Sequence, residues 1–219
     1  MSIQKLIDDN LQQIQDERKT RVRSGKISPS SLGGCFRKQI YNIRNVAPSN
    51  PPDGRTLRVF KAGQLFHDFV QSFLPKESTE VEVETDEIKG FADIVGRDTV
   101  YDIKSQHSRG FWYMQKKGYD VKKEKANNWL QLACYGKLLK KPKLCLMMVS
   151  KDDLCINEYT EYTRDWEVAL DNELKMLGAF IKSDDLPPKE PRLFNGKECS
   201  YCNWKTLCKG KDGKRKDIK

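Results

Sequence analysis

The chain has 219 residues, 37% of them hydrophobic, and its 40 basic and 31 acidic residues give a net charge of +9. This length fits one domain that buries a full core without disulfides, and no apolar run is long enough to span a bilayer. The excess of positive charge favours a polyanionic partner such as nucleic acid. Because the N-terminal sequence lacks a signal-peptide core, we expect a cytoplasmic protein with reduced cysteines.

Hydrophobic periodicity divides the chain into predicted helices and strands. Apolar residues from Ile3 to Ile14 predict a first helix, and Ser28-Pro29 has the pattern of an N-cap followed by proline at the first position of a second helix. The predicted helices span 2–21, a stretch that opens at Ser28-Pro29, 56–74, 125–140 and 165–182. The predicted strands span 79–85, 87–95, 99–105, 143–150 and 153–162.

The central feature is a predicted β-hairpin whose turn is Gly96-Arg97-Asp98. On both sides of this turn, apolar and polar residues alternate at the period of a strand. The hairpin places Val95 opposite Val100 and Asp93 opposite Asp102. Directly opposed residues of antiparallel strands have Cβ atoms about 4.5–5.5 Å apart. The sequence therefore predicts two neighbouring carboxylates.

These carboxylates carry the functional hypothesis. Lys104 points the same way as Asp102, because residues two apart share a face of a strand. Like charges opposed across a strand pair are destabilising unless a cation binds between them or one carboxylate is protonated. Closely spaced carboxylate oxygens form a site for Mg²⁺ or Mn²⁺. The alternative is a solvent-facing strand with a salt bridge between Asp102 and Lys104.

Side chains outside the hairpin extend this hypothesis. His67 is either a partly buried core histidine or a metal ligand supplied by the third predicted helix. Gln131 and Tyr135 lie four apart on one helix face, where they either point into the site or form hydrogen bonds at the edge of the core. Glu82 and Glu84 fit the solvated face of an edge strand, and the alternative is a further carboxylate for the site.

Aromatic residues follow the carboxylates at Phe111-Trp112-Tyr113-Met114, with Lys116 and Lys117 next to them. Aromatic rings beside positive charge are typical of surfaces that stack nucleic-acid bases and bind phosphates. The alternative is that two of these aromatic side chains pack in the core.

Cysteines near the C-terminus have the spacing C-x₂-C-x₅-C at Cys199, Cys202 and Cys208. Thiolates at this spacing bind an iron–sulfur cluster or zinc, and either group requires a fourth ligand. Cys35 is the candidate, and such a site would join the two ends of the chain. The basic stretch 209–219 is predicted to be a disordered tail. Three further cysteines fit small hydrophobic core positions, namely Cys134, Cys145 and Cys155.

From about residue 28 to 208, this ordered set of motifs resembles the RecB-like nucleases of the PD-(D/E)xK superfamily. The set comprises His67, Gly90-Phe91-Ala92-Asp93, Asp102-Ile103-Lys104, Gln131-x₃-Tyr135, and Cys35 with Cys199, Cys202 and Cys208. Within that superfamily it is similar to the CRISPR-associated protein four type and its phage relatives. The resemblance implies a single α/β nuclease domain over 1–219, with a central mixed β-sheet flanked by helices. An iron–sulfur-stapled region would join segments 28–46 and 190–208.

The resemblance also implies site roles. His67, Asp93, Asp102 and the backbone carbonyl of Ile103 would bind Mg²⁺ or Mn²⁺. Lys104 would position the attacking water and help to deprotonate it. Further site residues would be Gln131 and Tyr135, and the four cysteines would hold a 4Fe-4S cluster. Many relatives carry Glu where this chain has Asp102, and the shorter side chain would shift the metal slightly toward the strand.

The activity that the resemblance implies is hydrolysis of DNA from single-stranded ends in the 5′→3′ direction. Its protein partners would be those of CRISPR adaptation or of phage recombination and replication, in a prokaryotic or phage-infected cell. One alternative is a catalytically silent subunit that binds DNA ends through an iron–sulfur or zinc clip and acts with a partner nuclease. Another is a C-terminal zinc module beside a core of unrelated activity.

Overall fold

The computed structural model describes residues 2–20 and 24–209, so most of the basic tail predicted at 209–219 lies outside the described residues. The helices are α1 (Ile3–Thr20), α2 (Phe36–Ile43), α3 (Gly54–Gln71), α4 (Ser108–Tyr113), α5 (Val121–Glu124), α6 (Ala126–Leu138), α7 (Glu167–Lys182) and α8 (Lys205–Lys209). The strands are β1 (Thr79–Glu84), β2 (Lys89–Val95), β3 (Thr99–Gln106), β4 (Lys143–Ser150) and β5 (Ile156–Tyr162). None of the described helices combines the length and the apolar character that crossing a membrane requires.

The strands form one five-stranded mixed sheet in the order β1-β2-β3-β4-β5. Strands β3 and β4 pair in parallel, from Thr99 with Lys143 to Gln106 with Ser150, and every other neighbouring pair is antiparallel. The parallel pair requires a crossover, which α4, α5 and α6 supply. The predicted α/β architecture is confirmed, including the buried, continuously apolar strand β4 at the position expected from its sequence.

Helices cover both faces of the sheet. On one face, α6 packs Trp129, Leu132 and Ala133 against the main core, which includes Val100 of β3 and Leu146 of β4. On the other face, α3 contributes Phe66 and Val70 to a smaller cluster. This second cluster contains Ile94, Ile103 and Val149, together with Tyr101 and Met147. Side chains of α3 and α6 therefore approach β3 from opposite sides.

The second helix begins later than its sequence pattern predicts. Pro29–Ser31 forms a single turn of 3-10 helix, and α2 begins at Phe36, with Cys35 as its N-cap residue. Gly33 separates the two with a φ of +76°, and a Cβ there would lie 2.9 Å from the Cα of Asn127. This close approach to α6 interrupts the helix, because only glycine combines this conformation with so little space.

The C-terminal segment returns to α2. Glu198 is buried and accepts hydrogen bonds of 3.2 Å from the backbone amides of Cys35 and Arg192. The guanidinium of Arg192 donates two hydrogen bonds of 2.8 Å to Glu173 of α7. The indole of Trp204 donates to the carbonyl of Val46 at 3.0 Å. These contacts join the two ends of the chain through protein groups.

A candidate metal centre where two strands separate

The candidate site lies where β2 separates from β3. The pairing follows the predicted register, with Val95 opposite Val100, and it ends at Ile94 and Tyr101. Asp93 is therefore not the strand partner of Asp102 that the hairpin pattern predicts. Its carboxylate instead accepts a hydrogen bond of 2.7 Å from the backbone amide of Ile103. A side chain thus replaces a backbone acceptor and holds the strands apart at this point.

Asp102 lies beside this gap and is only 1% exposed. Its Oδ1 accepts hydrogen bonds from Lys104 Nζ at 2.5 Å and from Gln131 Nε2 at 2.8 Å. Its Oδ2 has no hydrogen-bond partner among the described residues. A buried carboxylate oxygen without a partner is costly, since burial removes its water and nothing replaces it. This oxygen marks a place for a ligand.

Helix α3 brings His67 to the site from the other face of the sheet. His67 Nδ1 lies 3.5 Å from Asp93 Oδ2, and both side chains are largely buried. Glu80 of β1 completes a group in which one ligand atom from each of these three residues lies within 4.8 Å of the others. Glu80 is not among the residues that the sequence patterns predict for the site. It shares its strand with Glu82 and Glu84, and no local pattern distinguishes the three.

The pKa shifts reflect how crowded these charges are. Burial raises the pKa of Asp93 above its usual range, and the neighbouring Asp102 carboxylate raises it further. Burial also lowers the pKa of His67, as does the nearby ammonium of Lys104. A bound cation would favour both the ionised carboxylate and the neutral imidazole, which are the forms that bind metals.

Two further predicted residues border the site. Tyr135 of α6 is buried, and burial raises the pKa of its hydroxyl. A Cβ on Gly90 would lie 2.6 Å from Tyr135 Oη and 2.8 Å from Pro29 Cδ. The glycine of the Gly90-to-Asp93 motif therefore lets β2 pass directly beneath Tyr135. Gln131, one turn earlier on the same helix, reaches Asp102 as described above.

The donor set fits a hard divalent cation. It offers carboxylate oxygens from Asp93 and Glu80 and a ring nitrogen from His67, whose ligand atoms lie within 4.8 Å of one another, whereas Asp102 forms no such group with any two of them. The buried Asp102 carboxylate borders this group, since the next residue, Ile103, donates its backbone amide to Asp93. Carboxylate oxygens suit Mg²⁺ and Mn²⁺, and imidazole nitrogen suits several transition metals. The free oxygen of Asp102 and the raised pKa of Asp93 are both consistent with such an ion.

Glu82 and Glu84 lie outside this group. Lys89 Nζ pairs with Glu82 at 2.8 Å and with Glu84 at 2.5 Å, and Lys26 Nζ pairs with Glu84 at 2.9 Å. The first interpretation, a solvated face of the edge strand β1, is the one that these ion pairs support.

The aromatic segment is divided between the core and the surface, and one of its aromatic rings, not two, packs in the core. Phe111 and Met114 are buried in the main core, whereas Trp112 is 48% and Tyr113 55% exposed. Trp112 Nε1 donates to Asp153 Oδ2 at 3.1 Å, and the ammonium of Lys116 lies over the Tyr113 ring. Helix α4 therefore presents two aromatic rings just beyond the end of β3, and Lys116, which follows the helix, adds a cation beside them.

The four predicted cluster ligands line one cavity, at the junction of α2 with the C-terminal segment. They are Cys35, Cys199, Cys202 and Cys208. Burial raises the pKa of the Cys35 and Cys202 thiols, and the Trp204 amide donates to Cys202 Sγ at 3.4 Å. No three of these sulfur atoms lie within 4.8 Å of one another, in contrast to the ligand atoms of His67, Glu80 and Asp93. The chain thus brings the cysteines to one cavity without gathering them tightly.

Comparisons with known proteins address the fold. No family model and no curated protein matches this sequence. The crystal structure of SSO0001 is similar, with 23% identity, a TM-score of 0.59, and coverage of 97% of this chain and 98% of that chain. The crystal structure of LHK-Exo in complex with dAMP has 14% identity, a TM-score of 0.50, and coverage of 72% and 90%. Another structure of LHK-Exo, described as an alkaline exonuclease from Laribacter hongkongensis, has 13% identity, a TM-score of 0.44, and coverage of 73% and 91%. The chain therefore shares its fold with SSO0001 and LHK-Exo.

Proposed function

We propose that this protein is a divalent-metal-dependent deoxyribonuclease of the PD-(D/E)xK type. It hydrolyses phosphodiester bonds of DNA from single-stranded ends, in the 5′→3′ direction. The observation that carries the proposal is the buried Asp102 carboxylate, which has one oxygen without a partner among the described residues and the other bound to Lys104. The fold that the chain shares with LHK-Exo supports the nuclease part of this proposal.

In this proposal, His67, Asp93, Asp102 and the backbone carbonyl of Ile103 hold Mg²⁺ or Mn²⁺. Such an ion, when bound, supplies Lewis-acid activation of water and of the scissile phosphate. Two hydrogen bonds orient these ligands: the Ile103 amide donates to Asp93, and Gln131 donates to Asp102. Such supporting hydrogen bonds orient metal ligands and raise metal affinity.

Lys104 supplies a fixed positive charge. Its ammonium lies 2.5 Å from Asp102 Oδ1, and the Lys104 side chain is about one third exposed, so a phosphate that enters the site can approach it. Negative charge develops on the phosphate as the water attacks, and a preorganised cation stabilises that charge more than it stabilises the ground state. Lys104 also positions the water and assists its deprotonation. Tyr135 keeps β2 in place next to Asp93.

The exposed rings of α4 support the preference for single strands. Unstacked bases can lie against Trp112 and Tyr113, which paired bases inside a duplex cannot reach. Lys116, over the Tyr113 ring, adds a charge that can contact the DNA backbone. Because α4 begins two residues after β3, this surface adjoins the strand that carries Asp102 and Lys104.

The cysteine cavity is proposed to hold a 4Fe-4S cluster with a structural role. Tetrahedral zinc with bonds of about 2.3 Å would place its thiolate sulfurs about 3.8 Å apart. The four sulfurs do not form such a set, since no three of them lie within 4.8 Å of one another. A larger multi-iron group with four thiolate ligands is a better fit to such an open arrangement.

The test is digestion of linear single-stranded DNA labelled at either end, with circular single strands and linear duplexes as companion substrates. We expect digestion of linear single strands in Mn²⁺ or Mg²⁺, none in EDTA, and survival of circles. A 5′ label should be released first. Asp102→Asn keeps the shape of the side chain, and it should abolish digestion.

Two results would overturn the proposal. Digestion by Asp102→Asn at the wild-type rate would show that the activity resides elsewhere or in a contaminant. Binding of DNA ends without cleavage in any metal would instead favour the silent subunit that acts with a partner nuclease. Degradation of circular strands would contradict the requirement for an end while leaving the nuclease assignment intact.

A further inference from the structure

Glu80 adopts a backbone conformation that is unusual for its residue type. Its φ is +47°, although it lies within β1. The other described non-glycine residues with positive φ lie outside strands, at Asn45, Lys140 and Leu154. A non-glycine side chain in this left-handed region is strained, and such residues are concentrated at functional sites.

This conformation directs the Glu80 side chain toward the candidate metal centre without breaking the strand. Thr79 pairs with Ile94 and Val81 with Ala92, so the register is kept on both sides of Glu80. Its carboxylate oxygen lies within 4.8 Å of a His67 ring nitrogen and an Asp93 oxygen. Glu82, two residues on in the same strand, pairs with Lys89 instead.

Gln71, the last residue of α3, holds Glu80 in this position. Its Nε2 lies 3.0 Å from Glu80 Oε1 and 2.9 Å from the backbone carbonyl of Asp93. One amide therefore connects the Glu80 carboxylate to the strand that carries Asp93. These two hydrogen bonds connect α3 with β1 and with β2.

The carboxylate of Glu80 has no cationic partner among the described residues. No ion pair among residues 2–20 and 24–209 involves Glu80, whereas Glu82 and Glu84 both pair with lysine. The Glu80 carboxylate lies within 4.8 Å of an Asp93 oxygen, and two like charges this close repel each other. Independently of Glu80, the buried Oδ2 of Asp102 also lacks a partner in the described structure. Both features point to a cation that the protein groups do not supply.

We propose that Glu80 is a further carboxylate ligand of the divalent-metal centre, positioned by Gln71. The inference rests on the proposed function, because it assigns a role within the same site. It adds a ligand from the edge strand that the hairpin motifs do not contain. With Glu80, the centre draws on α3, β1, β2 and β3, and three carboxylates favour a hard ion such as Mn²⁺ or Mg²⁺.

The experiment measures Mn²⁺ affinity of the full chain directly, by isothermal titration calorimetry and by the loss of the free Mn²⁺ signal in electron paramagnetic resonance. Glu80→Gln keeps the size of the side chain and should weaken Mn²⁺ binding by on the order of 10- to 100-fold. Gln71→Leu should weaken it by about 10-fold. The matched control is Glu82→Gln, which removes one charge from the same strand and should leave the affinity within about 2-fold.

Glu80→Asn adds an independent measurement, since asparagine tolerates the left-handed conformation better than glutamate does. Without metal, this variant should melt at a higher temperature than the wild type, and it should also bind Mn²⁺ more weakly. Glu80→Gln separates the two effects, because it removes the charge and keeps the strained backbone.

Wild-type affinity in Glu80→Gln would overturn the inference, as would equal losses in Glu80→Gln and Glu82→Gln. Failure of the proposed function gives a different result: the wild type itself would neither bind Mn²⁺ nor digest DNA. A wild type that binds Mn²⁺ and digests DNA, together with an unaffected Glu80→Gln, removes only the role of Glu80.

Discussion

Gln131 donates a hydrogen bond of 2.8 Å to Oδ1 of Asp102, the same oxygen that Lys104 binds at 2.5 Å. Two donors thus occupy one carboxylate oxygen, and the other, Oδ2, has no partner among the described residues. Because Gln131 is itself buried in α6, it cannot easily move away. The pair of donors fixes which oxygen of Asp102 is available to a metal ion.

Gln131→Met tests this orientation. Methionine fills a similar volume and cannot donate a hydrogen bond, so Asp102 should lose its fixed rotamer while the core stays packed. We expect Mn²⁺ affinity to fall by about 10- to 100-fold, as for other groups that support metal ligands. Calorimetric titration measures it. An unchanged affinity would mean that Lys104 alone is sufficient to orient the carboxylate.

Lys104→Met separates transition-state charge stabilisation from binding. The loss of one electrostatic donor should lower kcat by about 10²- to 10³-fold, with little change in the affinity for single-stranded DNA. Lys116→Met, on the α4 surface beside Tyr113, should instead raise KM and leave kcat nearly unchanged. Single-turnover digestion of end-labelled strands gives both parameters. If both variants raised KM equally and left kcat unchanged, Lys104 would act in DNA binding rather than in catalysis.

Gly90→Ala tests the close approach of β2 to α6. The added Cβ would lie 2.6 Å from Tyr135 Oη, so β2 or Tyr135 must move. Such overpacking costs about 1–3 kcal/mol, measurable as a lower free energy of unfolding in urea. Gly90→Ala combined with Tyr135→Phe should recover part of the loss, because the hydroxyl is the nearest atom to the added methyl group. No recovery would indicate that Pro29, at 2.8 Å, sets the cost instead.

The parts of the fold that sequence predicts well are those set by local pattern. Turn residues and alternation predict the hairpin register, and Val95 is found opposite Val100 as expected. The continuous apolar run at Lys143–Ser150 predicts the buried strand β4. In both cases the information lies within one short segment, so no knowledge of the rest of the molecule is required.

Sequence patterns do not predict the features that depend on contacts between distant segments. The separation of β2 from β3 depends on the Asp93 carboxylate replacing a backbone acceptor at Ile103, and alternation carries no sign of it. Glu80 differs from Glu82 through its φ of +47°, its contact with Gln71 and its place near His67 and Asp93, whereas Glu82 pairs with Lys89. The delayed start of α2 results from the packing of Gly33 against Asn127. Each of these is a tertiary effect that overrides local preference.

Arg192→Met tests the buried ion pair that fastens the C-terminal segment to α7. Glu173 is 3% exposed in its side chain and receives two of the three hydrogen bonds that the guanidinium donates, so the loss of Arg192 leaves a buried charge without its cation. We expect a loss of about 3 kcal/mol in the free energy of unfolding. The control is Lys137→Met, which removes the exposed pair with Asp171 on the same helix and should cost at most about 1 kcal/mol. A similarly small loss of stability in both variants would show that water or a nearby group stabilises the Glu173 carboxylate when Arg192 is absent.

Cys202→Ser tests the proposed cluster independently of nuclease activity. Cys202 accepts a hydrogen bond from the Trp204 amide and lines the cavity with the other three cysteines, so its loss should release the metal group. The anaerobically purified wild type should be brown, with iron and sulfide in near-equal amounts, and the variant should be colourless. Its melting temperature should fall by about 4–8 °C, which corresponds to about 2 kcal/mol for a chain of this size. Cys155→Ser, at a cysteine outside the cavity, should change neither property. A colourless wild type with stoichiometric zinc would contradict the cluster. A wild type with no metal would contradict it too, and the C-terminal segment would then be held by protein contacts such as those of Glu198, Arg192 and Trp204.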